Sequence, residues 1–259
     1  MNRLTIVKVG GKVVENPEAL SEFLQEFKKI SGNKILVHGG GSSATEIASR
    51  LGIETKMTNG RRITDANMLE VVVMVYAGLI NKKIVAQLQS IGSNAVGFTG
   101  ADLDLIRARK RNHPEIDFGY VGDVEDVNVR ELRLLMEEGV VPVIAPITHD
   151  GQSQLLNTNA DTIAASLARE LSNYFSTYLV YCFEKKGVLA NPEDEDSSIA
   201  HLTETEFKKL IDDGVVSSGM IPKLENGFNA KRNGVNEVII TNAQNISSGR
   251  GTRLSIQYD

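Results

Sequence analysis

The chain has one cysteine, Cys182, among its 259 residues. No disulfide can form within it, and a metal site built on clustered cysteines is excluded. Cys182 lies in the apolar run Tyr178-Leu179-Val180-Tyr181-Cys182 and reads as a small buried hydrophobe on a strand. Positive charge is also in deficit: 28 Lys and Arg against 33 Asp and Glu give a formal charge of −5, so no basic field is available to recruit nucleic acid. No stretch approaches the roughly 18 apolar residues of a membrane span. The chain runs straight into Leu4-Thr5-Ile6-Val7, with no basic segment and long apolar stretch before it. The expectation is a cytoplasmic protein with neither nucleic acid nor membrane as partner. There are no internal repeats. Any anion bound here must be met by individual lysines, arginines and backbone N–H groups.

Short β-branched runs at residues 5–9, 34–37, 95–98, 140–145, 178–182 and 237–241 alternate with helical patterns at 17–30, 44–51, 65–91, 128–138, 159–171 and 204–213. Strand alternating with helix predicts an α/β fold, with crossover connections and a mainly parallel sheet covered on both faces. Asn59-Gly60, between two short extended stretches, predicts a hairpin. Residues 191–198 are acidic and turn-rich and read as a solvated loop. A division near residue 173 gives an N-terminal lobe, 1–173, and a smaller C-terminal lobe, 174–259.

Five constellations carry possible chemistry. Lys8-Val9-Gly10-Gly11-Lys12 closes the first strand; its glycines let backbone approach a phosphate. Lys8 alternates with Ile6 in a strand expected to be buried on both faces, so it needs an anion or a cleft. The competing reading is a plain tight turn. His38-Gly39-Gly40-Gly41-Ser42-Ser43 sits between a strand and a helix, where N–H groups without helical partners favour an anion; the competing reading is close helix–strand packing. Neither G-x-G-x-x-G nor G-x-x-x-x-G-K-[ST] fits its spacing, which excludes the Rossmann and P-loop readings. His38 reads as a structural hydrogen-bonding residue. Arg61 and Arg62 are neighbours in the hairpin and point to opposite faces of a strand, so at most one reaches a given carboxylate; solvated charges on an edge strand account for the pair equally well. Asn157-Thr158-Asn159-Ala160-Asp161 is a good helix cap, which explains Asn159 but not Asn157. In Ser217-Ser218-Gly219-Met220-Ile221-Pro222-Lys223, Pro222 fits a first helical turn. Lys223 then stands at the positive end of a helix, where only a bound anion justifies it.

Taken in order, these pieces resemble the acetylglutamate kinases of the amino-acid kinase family, over essentially the whole chain. The resemblance rests on Lys8-Val9-Gly10-Gly11, His38-Gly39-Gly40-Gly41, Asn59-Gly60-Arg61-Arg62-Ile63-Thr64, Val96-Gly97-Phe98-Thr99-Gly100, Gly119-Tyr120-Val121-Gly122, Asn157-Thr158-Asn159-Ala160-Asp161 and Gly219-Met220-Ile221-Pro222-Lys223. It implies a three-layer α/β sandwich in which the N-terminal lobe binds an N-acylglutamate and the C-terminal lobe binds ATP. It also implies Mg²⁺ carried mainly on the nucleotide phosphates, with no metal site of the protein's own, and a homodimer formed through the N-terminal lobe. By the resemblance, Lys8 and Lys223 stabilise the phosphoryl group in transfer and Asp161 holds them. Gly10 and Gly11, with Ser217, attend the nucleotide, while Gly40, Gly41, Arg62 and Asn157 attend the acceptor.

The chemistry is consistent with that pattern. A side-chain carboxylate, whose ordinary pKa is about 4.3, is ionised at pH 7 and needs no general base; the difficulty is bringing it up to polyanionic ATP. Two departures stand out. The stretch Cys182-Phe183-Glu184-Lys185-Lys186-Gly187-Val188 is one residue longer than the family's usual Asp-Val-x-Gly-Val turn and lacks its Asp, which places the adenine and ribose contacts in question. The strand begins by residue 4, which predicts no feedback inhibition by arginine through an added N-terminal helix. The acyl group, acetyl or a longer one such as succinyl, is left open, with residues 97–102 expected to wall its pocket. Rival readings are a kinase of this fold for another acid such as aminoadipate, and a non-catalytic ligand sensor.

Overall fold

The computed structural model describes residues 1–58, 61–216 and 219–256. Its centre is the strand β1, Arg3–Val9, which is buried from Leu4 onward. A strand this apolar on both sides is stable only between two covering layers, and the alternation along it decides which side chain faces which layer. Leu4 and Ile6 point into one core, with Ile163 and Leu167 of the helix α7 (Ala160–Leu171). Val7 and Val9 point into the other, with Phe23 and Phe27 of the helix α2 (Pro17–Lys29). Lys8 falls on the α7 side by the same period of two.

β1 pairs in parallel with β2 (Asn33–His38) and with β11 (Ser176–Phe183). The full sheet runs β12-β14-β13-β11-β1-β2-β8-β5, where β5 is Ala95–Phe98, β8 Val141–Ile144, β12 His201–Thr203, β13 Glu237–Asn242 and β14 Thr252–Ser255. Every pairing is parallel except β13 with β14. The expected mainly parallel sheet with helices on both faces is present, with an edge pair, β12 and β14, that the sequence reading did not place. The chain leaves β1 toward β2 on one side and returns to β11 on the other. The crevice outside the carboxyl ends of β1 and β11 is therefore a switch point of the sheet, where ligands of open α/β folds bind.

Four further strands, β6 (Ile106–Lys110), β7 (Val121–Val127), β9 (Ile147–His149) and β10 (Leu155–Thr158), close into a small barrel. None was anticipated. β6 buries Ile106 and Ala108 but exposes Arg107 and Arg109, and β7 carries three acids, so neither shows the apolar run that marks the main sheet. The hairpin is present as β3 (Lys56–Thr58) antiparallel to β4 (Arg61–Ile63); its Asn59-Gly60 turn lies outside the described residues. Residues 66–90 form one helical run in three parts: α4 (Ala66–Val72), a wider π-helical stretch (Val73–Ile80) and α5 (Asn81–Ser90); α6 is Arg130–Glu137 and α8 Glu204–Asp212.

Candidate active site

Two glycine turns lie side by side at the ends of β1 and β2. Gly10 donates its N–H to the Cys182 carbonyl at 3.1 Å and Gly39 to that of Val9 at 3.0 Å. Gly10 thus supplies the turn rather than a donor for phosphate. The donors that remain candidates belong to the short helix α1 (Gly11–Glu15) and to α3 (Gly41–Arg50), neither of which has a side-chain cap at its N-cap residue. Glu15 ties the two together by accepting from the Ser43 N–H at 2.9 Å. A Cβ at Gly40 would stand 2.3 Å from Ile80 Cδ1 of the π-helical stretch, so that side chain would have to shift to admit one.

The cation triad forms where α7 begins. Asn159 caps α7 by accepting from the Thr162 N–H at 3.0 Å, which fixes Asp161 in the first turn. Lys8 Nζ lies 2.8 Å from Asp161 Oδ1 in a buried ion pair. Lys223 reaches Asp161 Oδ2 at 3.6 Å from the first turn of α9 (Ile221–Arg232) and donates to the Gly219 carbonyl at 3.0 Å. Burial alone would raise the Asp161 carboxyl, but the charges of Lys8 and Lys223 outweigh it and hold it below the usual carboxylate range. Tyr181, buried on β11, donates its hydroxyl to the Asp161 carbonyl at 3.1 Å and steadies that turn. Two cations on one carboxylate leave a surplus positive charge in a largely dry place, which a bound anion would balance.

Lys8 and Gly11 stand between two cavities and line both. The smaller, about 260 Å³, is lined by Gly40, Gly41, Arg61, Arg62, Tyr76 and Asn157 among others. The larger, about 690 Å³ and mostly apolar, runs from Gly10 and Lys223 to Phe183, Val188 and Val216. Of the residues expected from sequence, Lys8, Asp161, Lys223, Gly10, Gly11, Gly40, Gly41, Arg62 and Asn157 are gathered here; Ser217 lies outside the described residues. Residues 97–102 do not line either cavity. Gly97 instead packs on Asn81, where an added Cβ would fall 1.7 Å from Oδ1, and the smaller cavity is walled by Met57, Tyr76, Val121 and Pro146.

Arg62 is buried and its fork is already employed: Nη2 donates to the Gly41 carbonyl at 2.7 Å and to Thr45 Oγ1 at 2.8 Å. It therefore braces the hairpin against the second glycine turn. Arg61, exposed on the same strand, also lines the cavity. Arg111, held by Asp123 with Nε–Oδ1 at 3.0 Å, adds a third guanidinium that the sequence did not single out. Asn157 donates to Thr64 Oγ1 at 3.0 Å, which orients its amide toward the same space.

His38 is fully buried behind the second glycine turn. Nδ1 donates to the Gly39 carbonyl at 2.9 Å and Nε2 accepts from Asn81 Nδ2 at 3.2 Å. Burial, with Lys8 and Lys82 nearby, pushes its pKa down to about 4, against a weaker upward pull from the Gly39 carbonyl. The unfolded chain takes up this proton near pH 6.5 and the folded one does not, so stability is complete above that pH and is lost as pH falls toward 4. By urea unfolding, about 2 kcal/mol should be lost between pH 6.5 and 5. A His38→Gln variant lacks that slope; the same slope in both proteins would assign it to other groups.

Among the described residues no group of three or more His, Cys, Asp and Glu side chains is placed to hold a metal ion, and no helix is long and apolar enough to cross a membrane. A model of the amino acid kinase family matches residues 3–242. The chain belongs to the amino acid kinase family. It is 58% identical over 252 residues to the acetylglutamate kinase of Bacteroides thetaiotaomicron, covering 97% of this chain and 98% of that one. To the acetylglutamate kinase of Phocaeicola vulgatus it is 56% identical over 250 residues, covering 96% and 97%. Among solved structures, smu.665 of Streptococcus mutans superposes with a TM-score of 0.80 at 25% identity, covering 97% of this chain and 98% of that one. In this amino acid kinase every motif that carried the resemblance, except the one at residues 96–100, contributes to the lining of the two cavities that share Lys8.

Proposed function

We propose that the chain transfers the γ-phosphoryl group of ATP to the side-chain carboxylate of N-acetyl-L-glutamate, giving the acyl phosphate, the second step of arginine biosynthesis, in the cytoplasm. The observation that carries this is the placement of Lys8 and Lys223 on one buried carboxylate, Asp161, between a guanidinium-rich cavity and a mostly apolar one. In this reading residues 1–173 hold the acceptor and residues 174–259 hold the nucleotide. Among the described residues, the lining of the smaller cavity comes from residues 8–161, and the far wall of the larger one from residues 183–223.

The acceptor carboxylate is already ionised at neutral pH, so no residue has to remove a proton. Lys8 approaches the transferring group from the β1 side and Lys223 from the α9 side. Asp161 keeps both ammonium groups aimed while itself staying out of the chemistry. Mg²⁺, when bound, would ride on the phosphate oxygens and neutralise part of their charge; this agrees with a site whose nearest carboxylate is already occupied by two lysines. Arg61, Arg62 and Arg111 supply the field that holds a dicarboxylate, and Asn157 a neutral amide beside it. Homodimerisation through the N-terminal lobe is part of the same proposal, supported by Met74 and Leu79, both exposed on the π-helical stretch.

The test is acceptor-dependent hydroxamate formation in hydroxylamine with Mg-ATP, using N-acetyl-, N-succinyl- and free glutamate, aspartate and aminoadipate. Product from acetylglutamate supports the proposal, and a preference for the succinyl compound would move the acyl group to the longer one. No product from any of them, with ATP bound, would replace it by a sensor role. Within this reading Arg62→Lys raises the KM for acetylglutamate about tenfold with little change in kcat. A change confined to the KM for ATP would remove Arg62 from the acceptor side.

A further inference from the structure

Lys12 and Glu184 join parts of the chain that no role above connects. Lys12 is the second residue of α1, one step past the first glycine turn, and Glu184 is the first residue after β11. Their side chains meet at 3.0 Å although 172 positions separate them. Both line the larger cavity, where Glu184 is the one acidic side chain among the described lining residues, against Lys8, Lys12, Lys185 and Lys223. Lys8 and Lys223 are committed to Asp161, and Lys185 is paired with Glu195 at 2.7 Å. Among the described residues Lys12 has no ionic partner but Glu184, so the pair reaches from the phosphate turn to the opposite lip of the cavity.

Resting on the ATP reading above, we propose that Lys12 is an exchangeable phosphate ligand. Glu184 holds it across the cavity mouth in the empty protein, and an arriving nucleotide polyphosphate takes it over. The side chains are 74% and 52% exposed, so the pair sits in near-aqueous dielectric and costs little to open. A polyphosphate beside the glycine turn offers several negative charges to Glu184's one and wins the ammonium. Glu184 then stands unneutralised at the mouth and opposes the nucleotide. The departure at residues 182–188, which put the nucleoside contacts in question, is thereby given a role on the phosphate side instead.

The two partners should act in opposite directions, which a purely structural ion pair would not do. Calorimetric titration of the full chain with Mg-ATP and, separately, with adenosine tests this without any acceptor present. Lys12→Met should raise the Kd for Mg-ATP about five- to tenfold, the worth of one partly solvated charge-assisted hydrogen bond. Glu184→Gln should lower it about two- to fivefold, the effect of a partly screened competing charge. Neither variant should change adenosine binding. An unchanged Mg-ATP Kd in Lys12→Met overturns the proposal. So does weaker binding of both Mg-ATP and adenosine in Glu184→Gln, which would make Glu184 a nucleoside contact. A wild-type protein that binds no Mg-ATP would instead overturn the ATP reading on which the exchange depends.

Discussion

Replacing Lys223 by alanine lowers kcat by about 10²- to 10³-fold, the scale for losing one preorganised charge at a transition state. The KM values for ATP and acetylglutamate move little. Lys223 stands in the first turn of α9, where the helix field disfavours a cation, and its side chain is only 23% exposed. That position is poor for stability and suited to meeting negative charge in transfer. Its contact with Asp161, at 3.6 Å, is longer than that of Lys8. Folding therefore survives the substitution, and steady-state kinetics on a fully folded protein can read the loss. If kcat held while the KM for ATP rose in proportion, Lys223 would be an ordinary ground-state phosphate contact.

Replacing Lys8 by methionine gives the largest stability effect, a loss of about 3 kcal/mol, at the low end for stranding one partner of a buried pair because Lys223 remains. Methionine fills much of the space, so the loss is electrostatic rather than a cavity. The sign of the pH dependence follows from Asp161. Its carboxyl is held below the ordinary range in the native protein, so its contribution is present above about pH 4 and is lost as pH falls through the folded value. Without Lys8, burial raises that carboxyl, and the variant is penalised at neutral pH where the group must ionise. The stability gap between wild type and variant should be widest near pH 7 and narrow toward pH 4. A gap independent of pH would show that packing, not charge, is what Lys8 provides.

Much of this was legible in the sequence, for reasons tied to particular residues. β1, β2 and β11 are apolar on both faces and announce a buried parallel sheet without help from partners. Lys8 in such a strand, and Lys223 at a helix start, violate local preference, and both turn out to share Asp161. What stayed hidden depends on pairing across distance. β6 and β7 are strands because they close a barrel with β9 and β10, and their charged, one-sided sequences do not show it. Arg111 reaches the smaller cavity because Asp123 on β7 holds it there. The change of winding at residues 73–80 presses Tyr76 and Ile80 onto Gly40, yet nothing in Val73-Met74-Val75-Tyr76 marks it. The wall expected at residues 97–102 failed because Gly97 has to accommodate Asn81, a buried partner of His38 forty-three positions away.

The most direct test of phosphoryl transfer to carboxylate is to follow an oxygen. Acetylglutamate labelled with ¹⁸O in both side-chain carboxylate positions is incubated with the protein, Mg-ATP and hydroxylamine, and the released inorganic phosphate is analysed by mass. Attack of the carboxylate on the γ-phosphorus places one labelled oxygen in the C–O–P bridge. Hydroxylamine then attacks the carbonyl carbon and expels phosphate with that oxygen. The expected result is inorganic phosphate carrying one ¹⁸O, in equal amount to the hydroxamate. Unlabelled phosphate would mean that water, not the substrate carboxylate, attacks ATP, and the roles given to Lys8, Asp161 and Lys223 would no longer stand.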